Sequence, residues 1–370
     1  MQPQPSQFLR HPSTPSTRPR EVLHGRGGGS AAALAAPASI DALGSRPANR
    51  RTRWRHRQQR HRSTSEANSS RTAEGARAAQ PEHGPNYQAQ KLALLQARAR
   101  GKSGANPEDA LNRLGTISED RGELTRAVDY YRRAADRGPR HSAAAEWSLG
   151  LAFTSGEKGL PQDPAKAHDY VQRAANRGHA GALYDLGVDM HLGTDAVPMN
   201  IEEAERLYRL AAAAGWPQAR MSLGVLLATP GRTVTEYREA CELFLLNATE
   251  ANECGQESAY NLGVTLCDDD SPAAIRDTTE AAKMFELAAS LATADEGEDL
   301  DFGAKAKFWH ARLLFTGQMG HAPAGSDEQR RQMHMGARLL REAVDRGHAE
   351  AEQMLDALSE MGMIEPEPQT

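Results

Sequence analysis

A short pattern of small residues, Ala-x-x-x-Leu-Gly, recurs along this chain and constrains its fold more than any other feature. It occupies residues 110–115, 145–150, 182–187 and 219–224, and degenerate copies follow at 258–263 and 306–311. From each copy to the next, the last residue of the pattern advances by 35, 37, 37, 39 and 48 positions. A unit of this length buries too little apolar surface to fold alone, so the pattern predicts stacked repeats.

Each copy is followed by a second helical pattern, Ala-x-x-x-aromatic-x-x-Ala-Ala-x-x-Gly. It is clearest at 127–138, at 167–178 with Val171 in place of the aromatic, and at 204–215, and weaker at 240–248, 281–289 and 336–347. Two helical patterns in every period predict a stack of helical hairpins. We therefore expect an all-α solenoid of about six hairpins plus a C-terminal capping helix, preceded by a disordered N-terminal region.

Local signals mark the ends of these helices. Asp163 before Pro164 predicts an N-cap with proline at the first helical position. Residues 200–203 and 326–329 resemble capping boxes, and four glycines are predicted to end helices: Gly138, Gly178, Gly215 and Gly347. A glycine inside a helix costs about 1 kcal/mol relative to alanine. Its recurrence in the middle of the first five first helices therefore predicts that the second helix approaches closely.

Large side chains recur with the same period as the repeat. One position of the first helix holds Trp147, Tyr184, Met221, Tyr260 and Phe308, and one position of the second helix holds Tyr131, Tyr208, Phe244 and Phe285. A side chain that returns once per repeat fills the same gap in every layer, so these residues are predicted to form the core rather than an aromatic cage for a ligand.

The charge of the chain changes sign near residue 90. Residues 1–90 contain fourteen arginines, no lysine and five acidic residues, a net charge of +9, whereas residues 91–370 carry −14. The first part is also poor in branched and aromatic side chains, so we expect it to be disordered. A short helix or linker over 91–106 precedes the solenoid at 107–360, and residues 361–370 are predicted to form an acidic disordered tail.

Within the solenoid the predicted repeats are 108–138, 143–178, 180–215, 217–252, 256–292 and 303–347, with a cap at 349–360.

Seven arginines lie within thirteen residues of the predicted tail, beside one tryptophan. The candidate anion-binding residues are Arg50, Arg51, Arg53, Trp54, Arg55, Arg57, Arg60 and Arg62. Guanidinium groups pair with phosphates and a tryptophan stacks on a base, which favours nucleic-acid contact or nuclear import. An arginine-rich, acid-poor leader also resembles an organellar transit peptide, and a solvated tail remains the third interpretation. A further hypothesis is that the tail folds back onto the acidic solenoid and competes with basic partners.

The loop and helix ending of the second repeat resemble those of the Sel1-like repeat. The resemblance rests on residues 153–167, Phe-Thr-Ser-Gly-Glu-Lys-Gly-Leu-Pro-Gln-Asp-Pro-Ala-Lys-Ala, on 174–180, Ala-Ala-Asn-Arg-Gly-His-Ala, and on the Leu-Gly pair at 186–187. It covers about residues 108–360 and weakens at the last repeat, where the loop is enlarged.

The resemblance implies a right-handed α-α superhelix whose concave face is lined by the first helices and binds other proteins. The residues that it implies for groove contacts are Ser148, Asp185, Asp189, Ser222, Asn261 and Thr265. Asp185 and Asp189 are four residues apart on one helical face, and ordinary solvated charges are the alternative interpretation of this pair.

The sequence lacks the usual signatures of catalysis. There is no Gly-x-Ser-x-Gly elbow, no phosphate-binding Gly-x-x-x-x-Gly-Lys and no His-Glu-x-x-His. Three cysteines with no short-spaced pair predict neither a disulfide framework nor a metal site. His179 and His348, which follow helix-ending glycines, are interpreted as turn residues between repeats. We therefore expect a protein that binds no cofactor or metal and is not an enzyme. The alternative is a hydrolase built on the same repeats, which would need a nucleophile and a base.

These observations predict a scaffold or adaptor for protein partners of unknown identity. The alternative is an organellar or RNA-associated assembly factor that uses the arginine-rich tail. The expected compartment is the cytoplasm. The alternatives are a mitochondrion or plastid, if the N-terminal segment is a transit peptide, and the nucleus, if that segment directs import. No apolar run reaches the roughly 18 residues that a membrane span needs.

Overall fold

The computed structural model describes residues 85–101, 106–137, 142–156, 160–193, 197–250, 252–291, 301–316 and 326–364. The chain divides into two units, Met1–Ala36 and Pro37–Thr370, and every described residue belongs to the second. Fourteen helices lie in the described residues: α1 Pro85–Ala99, α2 Pro107–Asp120, α3 Leu124–Ala135, α4 Ala143–Ser155, α5 Pro164–Asn176, α6 Ala180–Leu192, α7 Ile201–Ala213, α8 Pro217–Leu227, α9 Val234–Glu250, α10 Gly255–Cys267, α11 Thr278–Ser290, α12 Phe302–Thr316, α13 Asp327–Val344 and α14 Ala349–Glu360.

The helices pair into six successive hairpins that stack on one another. The first helices are α2, α4, α6, α8, α10 and α12, and the second helices are α3, α5, α7, α9, α11 and α13. Each helix packs against its neighbours along the chain, and α10 also touches α12. Helix α14 follows as the cap, and the described residues contain no strand. The predicted all-α solenoid of hairpins is confirmed.

The glycine in the middle of a first helix makes room for the ring of the second helix. A Cβ at Gly187 would lie 2.8 Å from the ring of Tyr208, and a Cβ at Gly224 or Gly263 would lie 2.6 Å from Phe244 or Phe285. Gly115 meets Tyr131 in the same way. All four rings are at most 1% exposed. The predicted close approach is thus made by an aromatic side chain that rests on bare backbone.

The last hairpin reverses this arrangement. Ala311 replaces the glycine of the first helix, and the smaller Leu340 takes the position of the aromatic and is fully buried. The large ring comes from the first helix instead, because Phe315 packs where a Cβ on Gly336 of the second helix would lie 2.6 Å from it. Each hairpin therefore keeps one small residue against one large residue, whichever helix supplies them.

The predicted helix ends hold wherever they are described. Asp163, Asn200 and Ser326 accept hydrogen bonds from the backbone N–H three residues on. Gly178 and Gly215 adopt φ of 79° and 84°, the left-handed conformation that glycine reaches without a Cβ penalty. Gly347 does the same, and Gly138 lies outside the described residues.

The helical region begins earlier than the sequence predicts. Helix α1 begins at Pro85, whereas the composition places disorder up to residue 90 and a helix from about Leu92. Its first turns are polar and show no apolar periodicity, which is why hydrophobic patterning misses them. Leu95 and Ala99 bury against the first hairpin, and Arg137 donates to the Ala99 carbonyl at 2.7 Å. The rest of the predicted N-terminal tail and residues 365–370 lie outside the described residues.

We expect Gly224→Ala to lower the free energy of unfolding by about 1–3 kcal/mol, because its Cβ collides with Phe244. This holds although alanine favours a helix by about 1 kcal/mol. Phe244→Leu frees space for the new alanine Cβ. The last hairpin already has this combination, with Ala311 and Leu340 at the two equivalent positions. Chemical denaturation should therefore show the double variant to be more stable than the sum of the single effects predicts. Additive effects would contradict the packing argument.

Candidate functional site

The first-helix face is the surface formed by the fourth residue of each Ala-x-x-x-Leu-Gly pattern and the residue one turn later. It contains the six predicted groove residues: Ser148, Asp185, Asp189, Ser222, Asn261 and Thr265. Helices α4, α6, α8 and α10 place the fourth-position residues in successive repeats, so the face runs from one hairpin to the next.

Side-chain hydrogen bonds link the repeats along this face. Trp147 Nε1 donates to Asp185 Oδ2 at 2.7 Å, and the Tyr184 and Ser222 hydroxyls lie 3.5 Å apart. Both pairs are 38 residues apart and join the third position of one pattern to the fourth position of the next. The bond to the carboxylate is charge-assisted and is the stronger of the two. Met221 carries no such donor, so no bond of this kind joins the fourth repeat to the fifth.

Three of the predicted groove residues are not available to a partner. Ser148 is 6% exposed, Asn261 is 5% exposed and Thr265 is 1% exposed. Thr265 Oγ1 donates to the Asn261 carbonyl at 2.8 Å, a bond within its own helix. The sequence pattern cannot reveal this burial, because a polar residue at a repeat position has the same spacing whether or not solvent reaches it.

The other three residues are partly exposed and lie on neighbouring helices. Asp185 and Asp189 are one turn apart on α6, and Ser222 is on α8. The pKa of Tyr208 is raised by burial and then by the charges of Asp189 and Asp185. Its hydroxyl lies 3.3 Å from His191 Nδ1. This part of the face therefore presents the carboxylates of Asp185 and Asp189, and the buried phenol of Tyr208 beside them stays neutral.

His179 and His348 begin helices rather than bind ligands. Nδ1 of each ring accepts the backbone N–H of the residue three positions on, at 3.2 Å. His179 also packs on Trp147 and His348 on Phe308, with ring centroids 4.7 and 4.8 Å apart. Burial lowers the pKa of His179 to about 4 and lowers that of His348. Both imidazoles are thus neutral acceptors at neutral pH, as their interpretation as turn residues between repeats requires.

Ion pairs join the two helices of several hairpins beside the face. Glu146 is fully buried and lies 2.6 Å from Arg173 and 2.9 Å from Arg177. Lys307 and Glu342 hold the positions equivalent to Glu146 and Arg173 in the last hairpin, with the charges exchanged, at 2.8 Å. Exchanged charges disfavour pairing of the wrong helices, because the buried Glu146 would then meet the like charge of Glu342.

The described residues contain no group of three or more His, Cys, Asp or Glu side chains that is placed to hold a metal ion. Cys241, Cys254 and Cys267 form no disulfide, and burial raises the pKa of Cys241 to about 11 and that of Cys267 to about 12. No helix in this part of the chain is long and apolar enough to cross a membrane. The candidate anion-binding residues 50–62 lie outside the described residues.

Four stretches of the chain match the model of the Sel1 repeat, residues 109–139, 143–179, 180–216 and 256–292. They coincide with the hairpins α2–α3, α4–α5, α6–α7 and α10–α11. This chain is a Sel1-like repeat protein. Its hairpin α8–α9 lies between the third and fourth stretches and has a short loop, residues 228–233.

The Sel1-like repeat protein is similar to a solved structure and to parts of two curated relatives. A Sel1 repeat protein from Oxalobacter formigenes shares its fold with a TM-score of 0.51 and 19% identity, over 70% of this chain and 92% of the other. Cytochrome c oxidase assembly factor 7A of Xenopus laevis is 30% identical over 99 residues, 25% of this chain and 38% of its own. An F-box protein of Arabidopsis thaliana is 32% identical over 79 residues, 21% of each chain. The two curated relatives are thus matched over less than two fifths of their own lengths.

Sequence reasoning missed the polar role of two side chains on this face. Trp147 and Tyr184 were predicted only as core, yet each also uses its polar atom to reach the next repeat. The signal was present in the sequence. At both junctions, the third position of one Ala-x-x-x-Leu-Gly pattern holds a hydrogen-bond donor, and the fourth position of the next pattern holds a polar residue.

The histidine caps make the stability of the solenoid depend on pH. The folded pKa of His179 is about 4, below the ordinary 6.5, so its contribution is complete above pH 6.5 and is lost as pH falls toward 4. At pH 5.5 we expect a loss of about 1 kcal/mol from this residue, measured by urea denaturation between pH 7 and 5.5. Ser142 caps α4 at the equivalent position. The double variant His179→Ser/His348→Ser should therefore show a flatter pH dependence, and an unchanged slope would contradict the assignment.

Proposed function

We propose that this Sel1-like repeat protein is a non-catalytic scaffold that binds a protein segment along the first-helix face. The observation that carries the proposal is the hydrogen-bonded register of Trp147 with Asp185 and of Tyr184 with Ser222, which fixes one polar side chain in each of two successive repeats. Sel1 repeats imply protein–protein interaction, and a linear array of this kind suits an extended ligand rather than a small molecule.

The chemistry of the partly exposed residues specifies the partner segment. Asp185 and Asp189 offer carboxylate oxygens and Ser222 offers a hydroxyl, and these groups accept hydrogen bonds. A segment that carries lysine or arginine, or free backbone N–H groups, can donate further hydrogen bonds to them. The neighbouring phenol of Tyr208 stays neutral because burial raises its pKa. The face therefore favours a basic partner over an acidic one.

A scaffold also accounts for the state of the reactive side chains. Sel1 repeat proteins are generally non-catalytic scaffolds. The buried thiol of Cys267 stays protonated, and the imidazoles of His179 and His348 each spend one nitrogen on a helix N-terminus. None of these side chains supplies a nucleophile next to a free base, which a hydrolase on the same repeats requires.

The double variant Asp185→Asn/Asp189→Asn tests the face. Asparagine at 185 still accepts the Trp147 hydrogen bond, so the fold should persist while two negative charges are lost. We expect proximity labelling with the variant to lose the partners that the natural protein labels. A purified partner should then bind at least about tenfold more weakly, as the loss of charged hydrogen bonds requires.

The matched control is Glu202→Gln/Glu242→Gln, which removes the same charge from exposed positions on the second helices α7 and α9. Partners retained by this control and lost by the face variant support the proposal. Equal labelling by the face variant and the natural protein would overturn it.

A second candidate function is assembly of a respiratory complex in an organelle. It is favoured by the similarity to cytochrome c oxidase assembly factor 7A of Xenopus laevis and to cytochrome c oxidase assembly factor 7 of Xenopus tropicalis, each 30% identical over the matched residues. In this account the arginine-rich segment 50–62 carries targeting or nucleic-acid binding, and the solenoid holds the client.

Fluorescent fusions distinguish the two candidates. The full chain and a version that begins at Pro85 should share a cytoplasmic location if the protein is a general scaffold. If it is an organellar assembly factor, the full chain should enter mitochondria or plastids and the shortened chain should remain outside. Nuclear accumulation of the full chain alone would instead indicate that residues 50–62 act in import.

A further inference from the structure

The second helices of three consecutive repeats carry a leucine at one equivalent position. This position is the second residue after the aromatic of the second helical pattern, and it holds Leu210 on α7, Leu246 on α9 and Leu287 on α11. Leu210 is 44% exposed and Leu246 is 41% exposed, while Leu287 is partly buried. Leu245, next to Leu246, is 43% exposed. These four residues are called the leucine ridge below.

The ridge follows the stack of second helices. Arg209 of α7 pairs with Glu239 of α9, so these two helices lie side by side. Leu210 follows Arg209 directly, and Leu246 holds the same position one repeat later. A single exposed leucine is ordinary on a protein surface, but an apolar residue at the same position of three neighbouring helices marks a contact surface. The third, fourth and fifth repeats therefore share an apolar strip on their second helices.

The same position carries opposite charges at the two ends of the ridge. It holds Arg173 in the second repeat and Glu342 in the last, with side chains that are 39% and 40% exposed. Each pairs within its own hairpin, with Glu146 and Lys307. A guanidinium has five N–H donors and a carboxylate has two acceptor oxygens, so both groups can also pair with a second partner. Along the stack, the order is thus basic, three leucines, acidic.

This order is complementary to itself when two copies of the chain meet in antiparallel orientation. A two-fold axis at Leu246 brings Leu210 of one copy toward Leu287 of the other, and Arg173 toward Glu342. In parallel orientation, arginine would face arginine and glutamate would face glutamate. Two-fold contacts of this kind use the same surface on both copies. The charge order therefore favours a second copy of this chain as the occupant of the ridge.

We propose that the leucine ridge is the contact surface of a homodimer with its two-fold axis at Leu246. Burial of the leucines of both copies drives the association, and the arginine and glutamate at the two ends select the antiparallel orientation. All residues of the ridge lie on second helices, so the first-helix face stays uncovered. The dimer presents two copies of that face and can hold two segments of one partner, which raises avidity.

Sedimentation velocity of the full chain over micromolar concentrations tests the dimer. We expect a concentration-dependent dimer. Leu246→Glu should raise its dissociation constant at least about 30-fold, because the substitution occurs twice and two carboxylates then meet at the axis. The circular dichroism of this variant should match that of the natural protein, because the side chain is half-exposed in each copy. Leu94→Glu is the matched control, at a leucine that is 47% exposed on α1, and should dimerise like the natural protein.

Cysteine cross-linking tests the orientation. Under an oxidant, Leu246→Cys should form a disulfide between two copies. Leu210→Cys and Leu287→Cys should cross-link efficiently only when the two variants are mixed. The natural protein, with its three cysteines, gives the background.

A natural protein that stays monomeric over the whole concentration range would overturn the proposal and leave the ridge to a different protein. Undiminished dimerisation of Leu246→Glu would also overturn it, because the copies would then meet elsewhere. Self-cross-linking of Leu210→Cys as efficient as that of Leu246→Cys would contradict the antiparallel arrangement.

Discussion

The packing of one ring against one glycine, which occurs in five of the six hairpins, is the contact on which the rest of the structure depends. Gly187 and Gly224 have no Cβ, and the rings of Tyr208 and Phe244 fill the space where it would stand. This brings the two helices close enough to bury the ring almost completely. The burial of a large aromatic side chain, worth about 1.5–3 kcal/mol, outweighs the helix-propensity cost of the glycine, about 1 kcal/mol. A hairpin still buries little surface alone, so the stack stabilises its members.

The stack in turn explains the first-helix face. Because neighbouring hairpins hold a fixed register, Trp147 reaches Asp185 and Tyr184 reaches Ser222 across the junctions. The side chains that align the repeats are thus the ones that line the proposed binding surface. Their geometry is set before a partner arrives, which lowers the ordering cost of binding. Within the hairpin α4–α5, the ion pair of the buried Glu146 with Arg173 favours the correct pairing of the two helices.

Periodic features of the sequence predicted most of the fold, because a repeat states the same rule several times. The hairpins, the core rings and the caps at Asp163 and Asn200 follow from spacing and capping chemistry. Burial is the property that spacing does not encode, and it removes Thr265 and Asn261 from the predicted groove. Hydrophobic patterning also misses the early start of α1 at Pro85, because the first turns of this helix show no apolar periodicity.

The glycine Hα resonances measure the central contact most directly. In protein labelled with ¹³C-glycine, the account predicts ring-current displacement of the Hα signals of Gly115, Gly187, Gly224 and Gly263. Gly150 faces Val171 and should show none, and Phe244→Leu should abolish the displacement at Gly224 alone. Undisplaced signals at all five glycines, or a Gly224 signal that ignores the loss of the Phe244 ring, would contradict the account.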